Sequence, residues 1–423
     1  MARVVVVGGG FAGMSAAARL AKLRHDVTLL EAGHELGGRL RGHTIEGGTW
    51  PLSPETVSLP GVLRDLFRKS GRPIEQVVDL VQVDGRRHVF ADKSVLDLPL
   101  GSRAEQHDAV TEALGDDSWS PWVDSLGDTW DTLRRTVLER LLDDRDDLDR
   151  STRRALAVRR SLARLAGKDL SDDRLRDMVL DLVRLDGQRP MNVPAFVAVQ
   201  HYVERSFGRW RVEGGLVALA DALATRLEER KVDVRTGVRA HEVEVTSGRV
   251  SGVVTQTDRL DADVVVWCAP TWPAPLPEPP GIPAIPARRT LLTLDHDAPD
   301  LPPDLLAHGD PPVHAWSDGS GRWTLAHHNA EDPVTALARV GVRIKDHVVE
   351  RHDLSPADLV RLGHWGWAWQ GWTTIFDRPG VGQDNRLGGS FFMAGAHAHP
   401  GGTIEEIGSA TAAIAEAIGP APR

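Results

Sequence analysis

The 423-residue sequence has a single cysteine, Cys268, and no window of about 18 consecutive apolar residues, the length that a membrane-spanning helix needs. One cysteine cannot form an intrachain disulfide, as is usual in a reducing compartment, and we expect a cytoplasmic location. Arg3 is followed directly by a β-branched run, so no signal peptide is expected before the first strand. These absences point away from a disulfide-stabilised secreted domain and from an integral membrane protein.

Basic residues are fewer than acidic ones. The sequence has 50 Lys and Arg residues against 60 Asp and Glu residues, which gives a formal net charge of −10. A nucleic-acid partner would favour a basic surface, so we expect none, and at most peripheral contact with a membrane. The length exceeds the size at which one hydrophobic core stops growing, which predicts two domains.

The beginning of the chain has the pattern of strand, glycine turn, helix and strand. Residues 4–7 are a short β-branched run typical of a buried parallel strand, and residues 12–24 are rich in Ala and Leu, which favours a helix. Residues 27–30 predict a second strand. This order is that of a dinucleotide-binding unit.

The glycine turn carries a G-x-G-x-x-G motif from Gly8 to Gly13. In this motif Gly8 permits the tight turn, Gly10 lets the backbone approach a pyrophosphate, and Gly13 lets the helix pack on the strand. The helix N-terminus, with Phe11 and Ala12, then presents free N–H groups and a partial positive charge to the phosphates. The alternative is a glycine turn without a ligand.

Glu31 ends the second predicted strand. A carboxylate at this place accepts hydrogen bonds from ribose hydroxyl groups, and it would repel the 2′-phosphate of NADP. Ala32 and Val238 are predicted as further residues of the cofactor site.

A second motif, Gly37-Gly38-Arg39, follows Glu31 by six residues and favours FAD over a nicotinamide cofactor. It resembles the signature of the large FAD superfamily that includes amine oxidases and phytoene desaturases. Two glycines bring backbone N–H groups near the pyrophosphate, and the Arg39 guanidinium can bind phosphate through two hydrogen bonds. The alternative for Arg39 is a surface ion pair.

A third motif lies near the C-terminus, where a predicted strand over 391–394 ends in glycine and a helix is predicted over 403–418. In a flavoprotein the N-terminus of such a helix can point at the flavin and stabilise the negative charge that forms on reduction. Here the predicted cofactor-binding residues are Gly395, Ala396, Gly402, Thr403 and Ile404.

The chain resembles the phytoene desaturase family of FAD enzymes. Residues 395–402 read Gly-Ala-His-Ala-His-Pro-Gly-Gly, similar to the Gly-Ala-x-x-His-Pro-Gly-Gly/Ala turn of that family, and residues 54–71 and 170–215 also match in kind and order. Family members usually have Asp-x-Gly-Pro where residues 51–54 here read Pro-Leu-Ser-Pro. The resemblance implies dehydrogenation or isomerisation of a small apolar, isoprenoid-like substrate.

We therefore predict an α/β fold with a glutathione-reductase-like, FAD-binding Rossmann-type domain and an inserted α+β substrate domain. The FAD-binding domain is assigned to residues 1–65, 212–270 and 385–423, and the substrate domain to residues 66–211 and 271–384. A substrate C–H hydride passes to the flavin, and an unknown electron acceptor reoxidises it. The alternatives are an amine or amino-acid oxidase and a non-catalytic flavin-binding scaffold.

Candidate catalytic residues lie close to the C-terminal motif. Trp365, Trp367 and Trp369 alternate along the sequence, so on a strand they share one face and can form an aromatic wall for an apolar substrate. The alternative is ordinary core packing. Trp365, Trp369 and His399 are our candidates for the catalytic site, and His397 and His399 lack the neighbouring ligands that a metal site would need, so no metal is expected.

One further stretch is distinguished by its charge. In residues 131–160, 16 of the 30 residues are Asp, Glu, Lys or Arg, and the leucines and valines among them keep a helical spacing. This pattern predicts a helix with one buried and one solvated face.

Overall fold

The structure is a computed structural model that describes residues 1–46, 48–276, 278, 280–382 and 387–422. In chain order its strands are β1 (Arg3–Val7), β2 (Asp26–Leu30), β3 (His43–Ile45), β4 (Gly48–Trp50), β5 (Thr56–Val57), β6 (Leu80–Val83), β7 (Gly85–Phe90), β8 (Val95–Pro99), β9 (Arg209–Val212), β10 (Asp233–Arg235), β11 (Ala240–Thr246), β12 (Arg249–Thr255), β13 (Arg259–Asp261), β14 (Val264–Trp267), β15 (Pro283–Ala284), β16 (Arg288–Leu294), β17 (Asp304–His308), β18 (Val313–Ser317), β19 (Arg322–His327), β20 (Val348–Leu354), β21 (Gly366–Trp367) and β22 (Phe391–Met393).

The α-helices connect and cover these strands. In chain order they are α1 (Phe11–Lys22), α2 (Pro60–Ser70), α3 (Arg103–Leu114), α4 (Trp119–Asp124), α5 (Gly127–Leu133), α6 (Arg150–Ala155), α7 (Leu162–Asp169), α8 (Asp173–Leu185), α9 (Val199–Phe207), α10 (Gly215–Glu229), α11 (Pro333–Arg339), α12 (Pro356–Arg361) and α13 (Ile404–Ile418). None of the helices that the structure describes is long and apolar enough to cross a bilayer.

A five-stranded parallel sheet in the order β10-β2-β1-β14-β22 forms the first unit. Side chains alternate across β1: Val4 and Val6 pack against α1, α10 and α13, whereas Val5 and Val7 pack against the antiparallel sheet β11-β12-β13. Both faces of the sheet are therefore covered at its centre, which explains why the central strands β1 and β14 are continuous apolar runs. This arrangement confirms the predicted Rossmann-type α/β fold.

The five strands of this sheet come from parts of the chain that are far apart in sequence. β1 and β2 lie within residues 1–65, β10 and β14 within 212–270, and β22 within 385–423. Helix α2 crosses the predicted boundary at residue 65, and its residues Leu66 and Phe67 pack in the core beside α1. The division into domains stays a prediction.

The second unit is built on a seven-stranded sheet in the order β20-β16-β19-β18-β17-β7-β8, in which only the pair β17 and β7 is parallel. One apolar core lies between this sheet and α11, and a second one joins β7 and β8 to helices α3, α4, α7 and α8. A mixed sheet with helices segregated around it is an α+β arrangement. The predicted class of the inserted unit is confirmed.

The charged stretch 131–160 does not form the continuous helix that its spacing predicts. Helix α5 ends at Leu133, a π-helical turn follows, and regular α-helix resumes only with α6. The reason lies in the acidic side chains, which accept hydrogen bonds from nearby backbone N–H groups. Asp147 accepts from the Asp143 N–H at 2.7 Å and Asp144 from the Asp146 N–H at 2.6 Å, whereas the bond that Asp149 accepts from the Thr152 N–H caps the start of α6. Such local bonds offer the backbone an alternative to the helix.

Candidate active site

The turn between β1 and α1 has the geometry of a phosphate-binding turn. Gly8 has φ +103°, and a Cβ atom on Gly13 would lie 1.8 Å from the Gly8 carbonyl oxygen, so the helix and the turn touch only because residue 13 lacks a side chain. Around Gly10, by contrast, a Cβ atom would meet nothing within 4 Å. Gly10 precedes α1 without a side-chain cap, so the first N–H groups of the helix, at Phe11 and Ala12, stay available to a ligand.

Glu31 lies at the carboxyl end of β2, directly beside this turn. Its two carboxylate oxygens accept hydrogen bonds from the backbone N–H groups of Gly9 and Gly33, each at 2.6 Å. The Val238 N–H donates to the Glu31 carbonyl oxygen at 2.8 Å, which brings these two predicted residues together, and Ala32 is exposed next to them. Since each carboxylate oxygen has further lone pairs, Glu31 fits the ribose of a dinucleotide.

The Gly37–Gly38 segment packs against the first motif. The Gly37 N–H donates to the Gly9 carbonyl oxygen at 2.8 Å, and a Cβ atom on Gly38 would lie 3.2 Å from the Cα of Gly10. Both glycines have positive φ values, +119° and +52°. The two glycine motifs thus surround one space, as a shared pyrophosphate requires.

Arg39 follows this segment directly, is exposed and, within the described residues, forms no hydrogen bond or ion pair; desolvation lowers the pKa of its guanidinium. The neighbouring Arg41, in contrast, pairs with Asp221 at 2.9 Å. A guanidinium without a protein partner directly after the Gly37–Gly38 segment fits a phosphate ligand better than a surface ion pair.

The C-terminal motif lies next to the start of α1, although it comes from the other end of the chain. Gly395, with φ +137°, follows β22; Ala396 lies against Gly402, and Thr403 caps α13 by accepting a hydrogen bond from the Glu406 N–H at 3.2 Å. In the next turn of α13, a Cβ atom on Gly408 would lie 3.8 Å from the ring of Phe11.

The two helix N-termini therefore lie side by side although about 390 positions separate them in the sequence. The Leu59 N–H also donates to the Glu405 carboxylate at 3.3 Å, which joins the start of α2 to the first turn of α13, next to Ile404. The residues present fit FAD: two uncapped glycine turns and a carboxylate for the dinucleotide half, and a second helix N-terminus for the flavin half.

These observations agree with the comparison to known families. The family model described as flavin containing amine oxidoreductase matches residues 11–295, which is more than half of the chain. The chain belongs to this family. The prediction of an FAD-dependent family and of FAD as the cofactor is confirmed.

Two relatives give a finer comparison. The chain is 28% identical over 274 residues to a 4,4'-diapolycopene oxygenase from a Methylomonas species, over 62% of this chain and 55% of the relative. It is 25% identical over 283 residues to a 4,4'-diaponeurosporene oxygenase from Staphylococcus aureus, over 62% and 54%. The chain spans about half the length of these relatives. A solved oxidoreductase structure from Methanosarcina mazei shares the fold, with a TM-score of 0.66 and 16% identity over 98% of this chain and 100% of that one.

The tryptophans do not share one continuous strand face. β21 contains only Gly366 and Trp367, which pair with Ala284 and Pro283, the two residues of β15. Trp365 and Trp367 pack edge to face with ring centroids 5.6 Å apart. Trp369 lies beyond the strand.

Trp365 and Trp367 both contact the C-terminal motif. The Trp365 ring lies 5.9 Å from that of His397, and the Trp367 indole N–H donates to the His397 carbonyl oxygen. Trp369 instead packs edge to face on Phe196 at 5.7 Å, and the Arg378 guanidinium covers its ring at 4.4 Å. Aromatic side chains thus do adjoin the flavin motif, but in two groups.

His399 is buried beside these rings, and neither of its ring nitrogens forms a hydrogen bond with a described residue. Burial and the neighbouring Arg378 lower the pKa of His399 to about 3, and burial lowers that of His397 to about 4. Both rings are therefore neutral and weakly basic near pH 7. A role for His399 as proton acceptor stays a prediction, and this burial does not favour it.

Sequence reasoning missed a group of charged residues beside this site. Asp186, at the C-terminal end of α8, is exposed, yet burial of its surroundings raises its pKa to about 6. The positive charges of Arg289 on β16 and of Arg39 lower the pKa of Asp186, whereas the negative charge of Glu406 on α13 raises it. An acid at a helix C-terminus is disfavoured by the helix dipole, and this was the one signal in the sequence that could have identified Asp186.

The site allows a direct test of Glu31. Glu31→Ala should weaken FAD binding roughly 10- to 150-fold, because a hydrogen bond to a charged group contributes about 1.5–3 kcal/mol. The measurement is FAD titration of the cofactor-free variant followed by tryptophan fluorescence. Glu35→Ala is the matched control, since Glu35 is exposed on the same loop and pairs only loosely with Arg41, at 3.5 Å. Equal FAD affinity in both variants would count against the assignment of Glu31.

Proposed function

We propose that this protein is an FAD-dependent oxidoreductase that removes a hydride from a C–H bond of a lipophilic, isoprenoid-like substrate. The observation that carries the proposal is that the start of α1, the Gly37–Gly38 segment and the start of α13 lie close together. Aromatic side chains contact the motif that precedes α13. Two relatives named as oxygenases of diapolycopene and diaponeurosporene support the isoprenoid character of the substrate.

In this proposal the chain binds and orients the cofactor and the substrate, and the cofactor supplies the redox chemistry. FAD, when bound, supplies the acceptor for the hydride. The N–H groups at the start of α1 hold the pyrophosphate, Glu31 holds the ribose, and the N-terminus of α13 places its partial positive charge beside the flavin. Trp365, and Trp369 with Phe196, bind the apolar part of the substrate and exclude water.

An amine oxidase is the main competing function within the same family. Such an enzyme holds a substrate amine next to aromatic rings. Here one face of Trp369 is already covered by the Arg378 guanidinium at 4.4 Å, and a second cation there would be repelled. This contact favours the apolar substrate over the amine.

The test is anaerobic reduction of the purified protein. We expect a yellow protein with one FAD per chain, and bleaching of its visible absorbance by a linear isoprenoid presented in detergent micelles. The same assay with primary amines of similar length should leave the flavin oxidised. Bleaching by the amines alone would overturn the substrate class, and a folded protein with no FAD would overturn the cofactor assignment. Failure of every compound, while dithionite still reduces the flavin, would favour the non-catalytic scaffold.

A further inference from the structure

Arg378 is a buried guanidinium without a counter-charge. Its side chain is only 9% exposed, and among the residues that the structure describes it forms no ion pair. Its one hydrogen bond to a described residue runs from Nη1 to the Pro400 carbonyl oxygen, and its Nε is buried without an acceptor. Burial of a charge without an opposite charge is unfavourable, and desolvation accordingly lowers the pKa of Arg378.

The other buried arginines of the described chain show what a structural arginine has in this protein. Each of them has a carboxylate within 4 Å: Arg19 has Asp65, Arg86 and Arg209 have Asp304, Arg205 has Asp124, and Arg226 has Glu229. Arg378 differs from all of them. Glu406 acts on its charge through space, but the Glu406 carboxylate accepts a hydrogen bond from the Thr403 N–H at 3.0 Å and forms no ion pair with Arg378. The missing counter-charge therefore points to a ligand.

The free edge of this guanidinium is the one that can bind a carboxylate side-on. Nε and Nη2 lie on one edge and direct their N–H groups in parallel, and no described residue accepts a hydrogen bond from either. One face of the guanidinium lies on the Trp369 ring, 4.4 Å from its centroid. An arginine stacked on an aromatic ring in this way keeps its edge available for a planar ligand with two oxygens.

Arg378 lies between the flavin motif and the apolar side chains of the substrate unit. Pro400, which accepts the hydrogen bond from Nη1, belongs to the motif that precedes α13. On the other side, Trp369 packs edge to face on Phe196 at 5.7 Å, and both belong to an apolar cluster with residues of α5 and α9. A ligand that is anionic at one end and apolar along its length fits this position.

We propose that Arg378 binds the carboxylate of a lipophilic substrate, with its Nε and Nη2 groups donating hydrogen bonds to the two carboxylate oxygens. The apolar chain of the substrate extends from there along Trp369 and Phe196. This inference rests on the proposed function and refines its substrate class to isoprenoid carboxylic acids.

A single positive charge selects a monoanion among the polar ends that a lipophilic molecule can carry. Arg378 would repel an ammonium group, and a hydroxyl group would leave its charge uncompensated. A diphosphate would bring several negative charges to one guanidinium. The buried rings of His397 and His399 add no positive charge near pH 7, because burial lowers their pKa to about 4 and about 3.

Binding of farnesoic acid and of its methyl ester to the FAD-loaded protein at neutral pH, followed by tryptophan fluorescence, tests the proposal. The ester has the same apolar chain and no charge. We expect the acid to bind roughly tenfold more tightly or better, because a hydrogen bond to a charged group contributes that much. Arg378→Met should remove this preference. Arg378→Lys should reduce it, since an ammonium group keeps the charge but loses the side-on edge.

Arg205→Met is the matched control, because Arg205 is also buried but is paired with Asp124. It should melt lower than the wild type, since it breaks an ion pair, and it should keep the preference for the acid. Arg378→Met breaks no ion pair and should melt close to the wild type. In flavin reduction, Arg378→Met should raise the KM for the acid more than it lowers kcat, which a merely structural arginine would not do.

The outcomes that overturn the carboxylate site are separate from those that overturn the proposed function. Equal affinity for acid and ester in the wild type, or a preference that survives in Arg378→Met, overturns the site even if an isoprenoid hydrocarbon bleaches the flavin. If Arg378→Met does not fold, a preference that Arg378→Lys keeps in full overturns it. Tighter binding of farnesyl diphosphate than of farnesoic acid overturns it as well.

The flavin is the other source of negative charge that Arg378 could meet, and its reduction potential separates the two. A lower flavin reduction potential in Arg378→Met, together with equal affinity of the wild type for acid and ester, would assign Arg378 to the reduced flavin and overturn the carboxylate site. A preference for the acid without any flavin reduction would support the site and count against the oxidoreductase.

Discussion

Gly10→Ala should abolish FAD binding without changing the fold, whereas Gly13→Ala should disrupt both FAD binding and the packing of the fold. A methyl group on Gly10 meets no protein atom within 4 Å, and its φ of −75° suits alanine. It would occupy the space in which the pyrophosphate must lie. A methyl group on Gly13 would lie 1.8 Å from the Gly8 carbonyl oxygen, a backbone atom that cannot move away without opening the packing of α1 on β1.

The magnitudes follow from the same contrast. Overpacking of a tight core typically costs about 1–3 kcal/mol, and a backbone clash of this depth costs at least that much, so the cofactor-free Gly13→Ala variant should melt clearly lower. Alanine at the helix-capping position of Gly10 should cost the cofactor-free protein less than about 1 kcal/mol. FAD content after purification and the melting temperature with FAD removed are the two measurements.

Gly61→Ala is the control for the general effect of alanine in place of glycine. Gly61 is exposed in α2, and a Cβ atom there also meets nothing within 4 Å. That variant should keep its FAD and melt no lower than the wild type. A Gly10→Ala protein that still binds FAD at full occupancy would show that no cofactor atom approaches Gly10, and the assignment of the site would fail.

The cofactor half of the site was predictable because its signals are local. Each motif is a glycine turn between a strand and a helix, and the turn demands Gly8 and Gly395 at their positive φ values wherever the rest of the chain lies. Thr403 followed by Glu406 is a capping box, which places the start of α13 to the residue. The only long-range step was to assign the three motifs to one cofactor.

The substrate half was not predictable from local signals. Trp369 and Phe196 are more than 170 residues apart in the sequence, and only the fold brings their ring centroids to 5.7 Å from each other. The alternation of the tryptophans predicts a common face only if residues 365–369 form one strand, but a strand depends on a partner far away in the sequence, and β15 offers β21 only two residues. Trp369 therefore leaves the face that Trp365 and Trp367 share.

The second large effect is expected from Trp367, and it separates core from substrate wall. Trp367 is buried, its indole N–H is bonded to the His397 carbonyl oxygen, and its ring fills the space beside Gly281, where a Cβ atom would lie 2.4 Å from it. Trp367→Ala should therefore lower stability by about 3–5 kcal/mol, as for other buried tryptophans. Loss of activity in that variant would follow from loss of structure.

Trp365 is half-buried, and its ring packs edge to face on Trp367 and tilted by 34° against the His397 ring. Trp365→Ala should melt close to the wild type and keep its FAD, but it should need much more substrate to reduce the flavin, since an indole covers a large apolar area of a bound ligand. The melting temperature gives the stability of each variant, and anaerobic flavin reduction gives its substrate requirement. Both are measured on the same preparations.

Trp323→Ala supplies the reference for a tryptophan that is only core, because its ring is buried between the seven-stranded sheet and α11. It should lose stability as Trp367→Ala does. Trp365→Phe should recover most of the substrate affinity, since a phenyl ring restores much of the apolar surface. If the Trp365 and Trp369 alanine variants both melt as early as Trp323→Ala, and neither slows reduction selectively, these rings belong to the core and the apolar part of the substrate binds elsewhere.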